Sequence, residues 1–184
     1  IMGEDDIAAL VDFTVETFGR LDCLFNNAGA GDRTTVDSFD EDEFARIMRL
    51  LVGAPAFGIK HAARVMKDSG GGSIINISSH AATNIFSSTL SADNTDIALI
   101  GQNYGAAKVG LERFTWGLAA ELGPYNISVN VLKPLRPVVT EGFLAQRPDA
   151  DISTWATPAD MVKAAKYLAV QDAEGLSGTT VTAE

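Results

Sequence analysis

Residues 21–25 form a short apolar run that stops in Asn26-Asn27-Ala28-Gly29, and residues 72–77 form a second that stops in Ser78-Ser79. Runs of this length that end abruptly in turn residues read as strands. Between and around them the period changes. Ile7, Leu10, Val11, Val15 and Phe18 recur at helical spacing, so residues 4–18 read as a helix closed by Gly19. Asp40, with Glu43 three residues on, predicts a capping box for a helix running to about Met66; Pro55 inside it should bend or divide it, because it lacks a backbone donor. Residues 106–122 form a long helix that Tyr104 and Lys108 begin, residues 127–132 a strand stopped by Pro134, residues 157–170 a helix with Pro158 in its first turn, and residues 178–182 a last strand. Strands alternating with helices predict an α/β fold: one domain over residues 1–184, with a parallel sheet covered on both faces.

Composition narrows the function. The 184 residues carry a net charge of −10 with no cluster of Lys or Arg, which argues against nucleic acid and anionic membranes as partners. No apolar stretch approaches the ~20 residues that span a bilayer, and the acidic start lacks the pattern of a signal peptide, so a cytoplasmic enzyme is expected. One cysteine, Cys23, reads as a buried thiol in its strand; two distant histidines and one cysteine predict no metal site. No Gly-x-Ser-x-Gly elbow supports a serine hydrolase.

The chemistry-bearing pattern is Tyr104 and Lys108, four residues apart at the start of a helix, and hence on one face. A phenol normally holds its proton to about pH 10. An ammonium beside it favours the phenolate, which predicts a lowered phenol pKa and a general acid/base usable at neutrality. In doubly wound sheets, ligands bind beyond the carboxyl ends of the strands, where residues 26–29, Ser78-Ser79 and Pro134 are expected to meet the start of the Tyr104 helix.

Strand-Asn26-Asn27-Ala28-Gly29, strand-Ser78-Ser79 and Tyr104-x-x-x-Lys108, in this order, resemble the short-chain dehydrogenase/reductase family over nearly the whole chain. The resemblance implies a Rossmann-like, doubly wound parallel sheet in three α/β/α layers, and reversible hydride transfer between NAD or NADP and a carbonyl or secondary alcohol. Ser79, the second of its pair, Tyr104 and Lys108 are then the catalytic residues. Ser79 donates to the substrate oxygen, Tyr104 exchanges its proton, and Tyr104 and Lys108 also bind the cofactor, Lys108 at the nicotinamide ribose. Asn26, Ala28 and Gly29 would line the cofactor near its adenosine half, with Pro134 and Thr140 near the carboxamide. The resemblance further implies a homodimer or homotetramer paired through helices near residues 45–65 and 106–122. Phe143, Leu144 and Trp155 suggest a small apolar alcohol or ketone as substrate.

The departures from the family are specific. No Gly-rich turn follows a strand and opens a helix to hold a pyrophosphate; Gly70-Gly71-Gly72 precedes a strand and reads as a flexible turn. The first three strands and two helices of the family are therefore expected to be missing, which would leave the strand at residues 21–25 as an apolar edge. Leu51 falls where many members carry a proton-relay Asn, and Leu135 stands where Gly is usual. Ser79 and Tyr104 are 25 positions apart, longer than is usual, with a polar insertion near Ser87 to Asp96 that reads as a flap or a surface loop. Leu51, Leu135 and the lacking turn favour a second hypothesis: a non-catalytic relative that serves as an association scaffold. His80 reads as a solvent-exposed loop histidine, His61 as a surface or interface residue, and Phe114 and Trp116 as packing residues.

Overall fold

The computed structural model describes residues 3–32, 34, 36–83, 101–146, 148–149 and 151–183. The insertion near Ser87 to Asp96 lies outside the described residues. Four parallel strands, β1 (Cys23–Asn26), β2 (Gly72–Ile77), β3 (Ile127–Pro134) and β4 (Thr180–Ala183), lie side by side in chain order. Parallel neighbours need crossovers, and here helices supply them. The helices are α1 (Glu4–Phe18), α2 (Glu41–Met48), α3 (Ala54–Asp68), α4 (Gln102–Leu122), α5 (Glu141–Gln146) and α6 (Pro158–Ala169).

The two-residue period of the strands sorts the core into two layers. Ile74 and Val129 face one way, into a cluster with Ile59, Ala62 and Met66 of α3 and Ala119 and Leu122 of α4. Ile75 and Leu132 face the other way, onto Leu168 of α6 and Ala183. Each such fully buried aliphatic side chain contributes about 1.5–3 kcal/mol. This is the expected Rossmann-like three-layer α/β/α arrangement.

β1 is the edge strand among the described residues. Because α6 packs on β2, β3 and β4, its layer does not reach Phe25, which is 44% exposed. For the same reason Cys23 is half-buried rather than fully buried; the burial it does have pushes its thiol pKa up.

α1 ends where expected, with Gly19 in the left-handed conformation at φ 82°. Its apolar stripe is only partly used: Ile7 and Val11 are buried, whereas Leu10 and Phe18 are exposed. Ion pairs Glu4–Lys60 and Asp12–Arg64, both at 2.5 Å, tie it to α3, and His61 joins Glu4 at 3.1 Å.

Asp40 caps α2 by accepting from the Glu43 backbone at 2.8 Å. The predicted capping box stays half-made, since the Glu43 side chain turns to Arg46 at 2.6 Å. The long helix keeps right-handed helical backbone throughout, and a π turn, Arg49–Gly53, lies between α2 and α3 just before Pro55. The Gly70–Gly71 turn is an ordered, constrained one. Gly71 holds φ 109°, and a side chain there would run into the Asn126 backbone.

Candidate active site

The segment that follows β1 fixes the start of α4. Asp32, buried in the loop after residues 26–29, accepts the Gly101 N–H at 2.7 Å with its carbonyl and the Tyr104 N–H at 3.2 Å with its carboxylate. Thr34 donates its backbone N–H to the same carboxylate at 2.6 Å and adds its hydroxyl. A helix N-terminus leaves its first N–H groups without partners, and a carboxylate there satisfies one and complements the dipole. Gly101 makes room for it, because a Cβ at that position would overlap the Asp32 carboxylate. An aspartate in a polar loop carries no sequence signal for this task; only the fold brings it to the helix.

Ser79, Tyr104 and Lys108 are brought together at the carboxyl end of β2. The Ser79 side chain lies beside the Tyr104 phenol and favours its ionised form, and its oxygen accepts the Ala81 N–H at 3.2 Å. The Lys108 ammonium lies 5.6 Å from the centre of the Tyr104 ring and donates to the Ile77 carbonyl at 2.6 Å. The two serines are separated by their surroundings: Ser78 is buried and donates to Glu112 at 2.6 Å, while Ser79 is half-buried at the rim.

The electrostatics correct one expectation. Burial raises the Tyr104 pKa above the ordinary phenol value, and only the neighbouring Ser79 opposes it. The Lys108 ammonium, which donates to the Ile77 carbonyl, does not offset that burial. Burial likewise lowers the Lys108 pKa to about 8, with the nearby Glu112 charge pulling the other way. Lys108 therefore remains mostly protonated at pH 7.

Beneath this group lies a buried polar cluster. Glu112, one turn beyond Lys108 on α4, accepts from Ser78 and pairs with Lys133 of β3 at 3.1 Å, both side chains being under a tenth exposed. Lys133 also reaches the Thr83 hydroxyl at 3.4 Å. Two signals could have found it: Glu112 continues the four-residue spacing of Tyr104 and Lys108, and Lys133 is a charge within an otherwise apolar strand end. Leu51 is buried in the π turn and packs on Ile47, Ala107 and Tyr104, an apolar wall beside the phenol.

The remaining residues divide by geometry. Asn26 turns its side chain inward and donates to Asn76 at 2.8 Å, and Asn76 donates to Thr115 of α4 at 2.9 Å. Ala28 and Gly29 are exposed at the rim. Pro134 ends β3, next to Lys133. Thr140 is exposed and accepts the Phe143 N–H at 3.3 Å, so its hydroxyl caps α5. Phe143 and Trp155 stack edge to face at 4.7 Å. His80 is half-buried and opens a 3-10 turn, not a solvent-exposed loop. Trp116, at 44%, and Phe114 are exposed instead of packed, because they lie on the outer face of α4. Among the described residues no group of three potential ligands could hold a metal, and no helix is long and apolar enough to cross a membrane. A cavity of about 480 Å³ at Gly123, Asn126 and Asp172 lies at the opposite end of β3 from this site.

Known proteins resemble this chain in sequence and in fold. A family profile described as "Enoyl-(Acyl carrier protein) reductase" matches residues 1–184. (+)-Borneol dehydrogenase 2 of Salvia officinalis is 34% identical, over 95% of this chain and 65% of its own length. Trans-4-hydroxycyclohexanecarboxylate dehydrogenase of Sinomonas cyclohexanicum is 40% identical, over 68% of this chain and 44% of its own. The chain thus spans two thirds or less of these relatives. A solved short-chain dehydrogenase/reductase family protein superposes with a TM-score of 0.76 at 28% identity, covering 96% of this chain and 72% of that one. A gluconate 5-dehydrogenase from Burkholderia cenocepacia J2315, in complex with NADP and tartrate, shares the fold at 24% identity, with a TM-score of 0.81 and cover of 100% and 71%. With its ordered motifs on a four-stranded parallel sheet and a profile match from end to end, the chain belongs to the short-chain dehydrogenase/reductase family.

Proposed function

We propose that this chain carries the proton-transfer half of an NAD(P)-dependent oxidoreductase acting on a small apolar alcohol or ketone. One observation carries the reading: Ser79, Tyr104 and Lys108 converge at the carboxyl end of β2, with Ser79 beside the phenol and the Lys108 ammonium 5.6 Å from that ring. The dehydrogenases among its relatives support the reaction class.

The donor set fits the nicotinamide-ribose end of such a cofactor. Among the described residues, Lys108 gives one of its three N–H donors to Ile77, which leaves donors for sugar hydroxyls beside Tyr104. Ala28, Gly29, Pro134 and the Asn26 main chain offer small side chains and backbone groups along the same rim, with Thr140 at its far side. When bound, the cofactor supplies or accepts the hydride. The chain's own residues do the rest. Tyr104 gives its proton to the carbonyl oxygen during reduction and takes it back from the alcohol in the reverse direction. A phenol held above its usual pKa keeps that proton until a substrate oxygen develops charge. Ser79 donates to that oxygen, stabilising it where the charge appears. Lys108, kept close by its bond to Ile77, stabilises the phenolate left behind. Phe143 and Trp155 cover an apolar substrate.

The test is cofactor titration of the protein, followed by an alcohol and ketone screen with Tyr104→Phe as control. Turnover that survives this substitution unchanged would sink the reading. The association-scaffold reading draws support from Leu51 and from the exposed Val109, Phe114 and Trp116 along α4. It expects homo-oligomers with no saturable cofactor binding.

A further inference from the structure

The buried pair beneath the site has no part in the proton transfer described above, yet it is placed to govern it. Glu112 Oε1 accepts the Ser78 hydroxyl at 2.6 Å and the Lys133 ammonium at 3.1 Å. Ser78 adjoins Ser79, and Thr83, at the far end of the same turn, is in reach of Lys133 at 3.4 Å. The Glu112–Lys133 pair thus ties α4, β3 and both ends of the Ser79 turn together, Glu112 holding Ser78 and Lys133 reaching Thr83. Glu112 also lies one helical turn from Lys108, which is itself buried.

The cluster holds two cations and one anion. Were Glu112 alone with Lys108, their charges would cancel, and Lys108 could do little for a phenolate at Tyr104. Lys133 occupies the carboxylate directly, so the Lys108 charge stays available. We propose that Glu112 and Lys133 are positioning residues of the candidate site: a buried ion pair that fixes the Ser79 turn and sets how strongly Lys108 is held in its charged form. The proposal rests on the reading of Lys108 and Tyr104 as working groups, but its electrostatic content does not depend on turnover. The ionisable groups around Lys108 are Tyr104 and Glu112 on its own helix, Lys133 from β3 and His80 on the turn packed against α4. Asp32 stands at the helix start, and the Glu43–Arg46 pair and Arg49 lie on the neighbouring α2 segment. Burial lowers the Lys108 pKa and the Glu112 charge raises it.

The two substitutions should therefore act with opposite signs. In protein labelled with ¹³C-lysine, the Lys108 Cε resonance, identified by its loss in Lys108→Arg, is followed against pH. Glu112→Gln should lower the Lys108 midpoint by about one pH unit, and Lys133→Met, which leaves the carboxylate uncompensated, should raise it by a similar amount. Glu112→Asp should restore most of the first shift. If the enzyme reading holds, the alkaline limb of kcat/KM moves with the midpoint. Midpoints that stay put in both folded variants, or that move the same way, overturn the proposal. Should Glu112→Gln fail to fold, Lys133→Met decides alone: an unchanged or lowered midpoint overturns it. Opposite shifts without any turnover would uphold the pair and reject the enzyme reading instead.

Discussion

The carboxylate of Asp32 accepts the backbone N–H of Tyr104 at 3.2 Å, across 72 residues of sequence. The tyrosine is thus held by its main chain as well as by its helix. Asp32→Ala removes a cap from α4 and leaves Thr34 without its acceptor. It should lower stability by about 1–2 kcal/mol, read as a lower midpoint in urea unfolding. Gly101→Ala should be at least as damaging, because its methyl group would displace that carboxylate. An unchanged midpoint in both would show that the cap does not anchor the helix.

The placement of Ser79 beside the Tyr104 phenol yields a kinetic prediction. Tyr104→Phe should reduce kcat/KM by about 10²–10⁴-fold, and Ser79→Ala by about 10²–10³-fold. Cofactor dissociation constants should change little, since neither hydroxyl is the main cofactor anchor. Steady-state kinetics alongside fluorescence titration of NADH or NADPH separates the two effects. A loss confined to cofactor affinity would reassign both residues to binding.

Lys108 gives the stability a defined pH dependence. Burial lowers its folded-state pKa to about 8, while the unfolded value is near 10.5. Between those values the unfolded chain holds the extra proton, so stability rises with pH across that window. Below about pH 8 the full penalty of burying the charge is present, on the order of 3 kcal/mol. Lys108→Met should therefore be less pH-dependent than the parent from pH 8 to 10 in urea unfolding series. Parallel curves for the two proteins would contradict the assigned burial.

The Glu112–Lys133 pair should show strong coupling. Removing either partner leaves the other charge buried without compensation and should cost about 3–5 kcal/mol. Glu112→Leu combined with Lys133→Met should cost much less than the sum of the single changes. A double-mutant cycle by chemical denaturation measures the difference. Strict additivity would mean that the 3.1 Å contact contributes nothing.

Elements were legible where local pattern and burial agree. The boundaries of α1 and of β2 follow from apolar period and terminal turn residues, because the forces that define them act over a few neighbours. Leu10, Phe18, Phe114 and Trp116 show the limit of that reasoning: their period marks a helix face, but not whether another layer covers it. The capping box at Asp40 failed for a similar reason, since Glu43 found a charged partner in Arg46 on its own helix. Thr140 caps α5, a role that depends on where the chain turns after β3.

The order of strand ends, serine pair and tyrosine–lysine spacing was written in the sequence, because a parallel α/β sheet places every strand end on one rim. The direction of the Lys108 ammonium, the raised Tyr104 pKa and the roles of Asp32, Glu112 and Lys133 were decided by tertiary structure alone. Hydrogen bonding and charge act through space and depend on burial, and residues far apart along the chain create both only when the layers close.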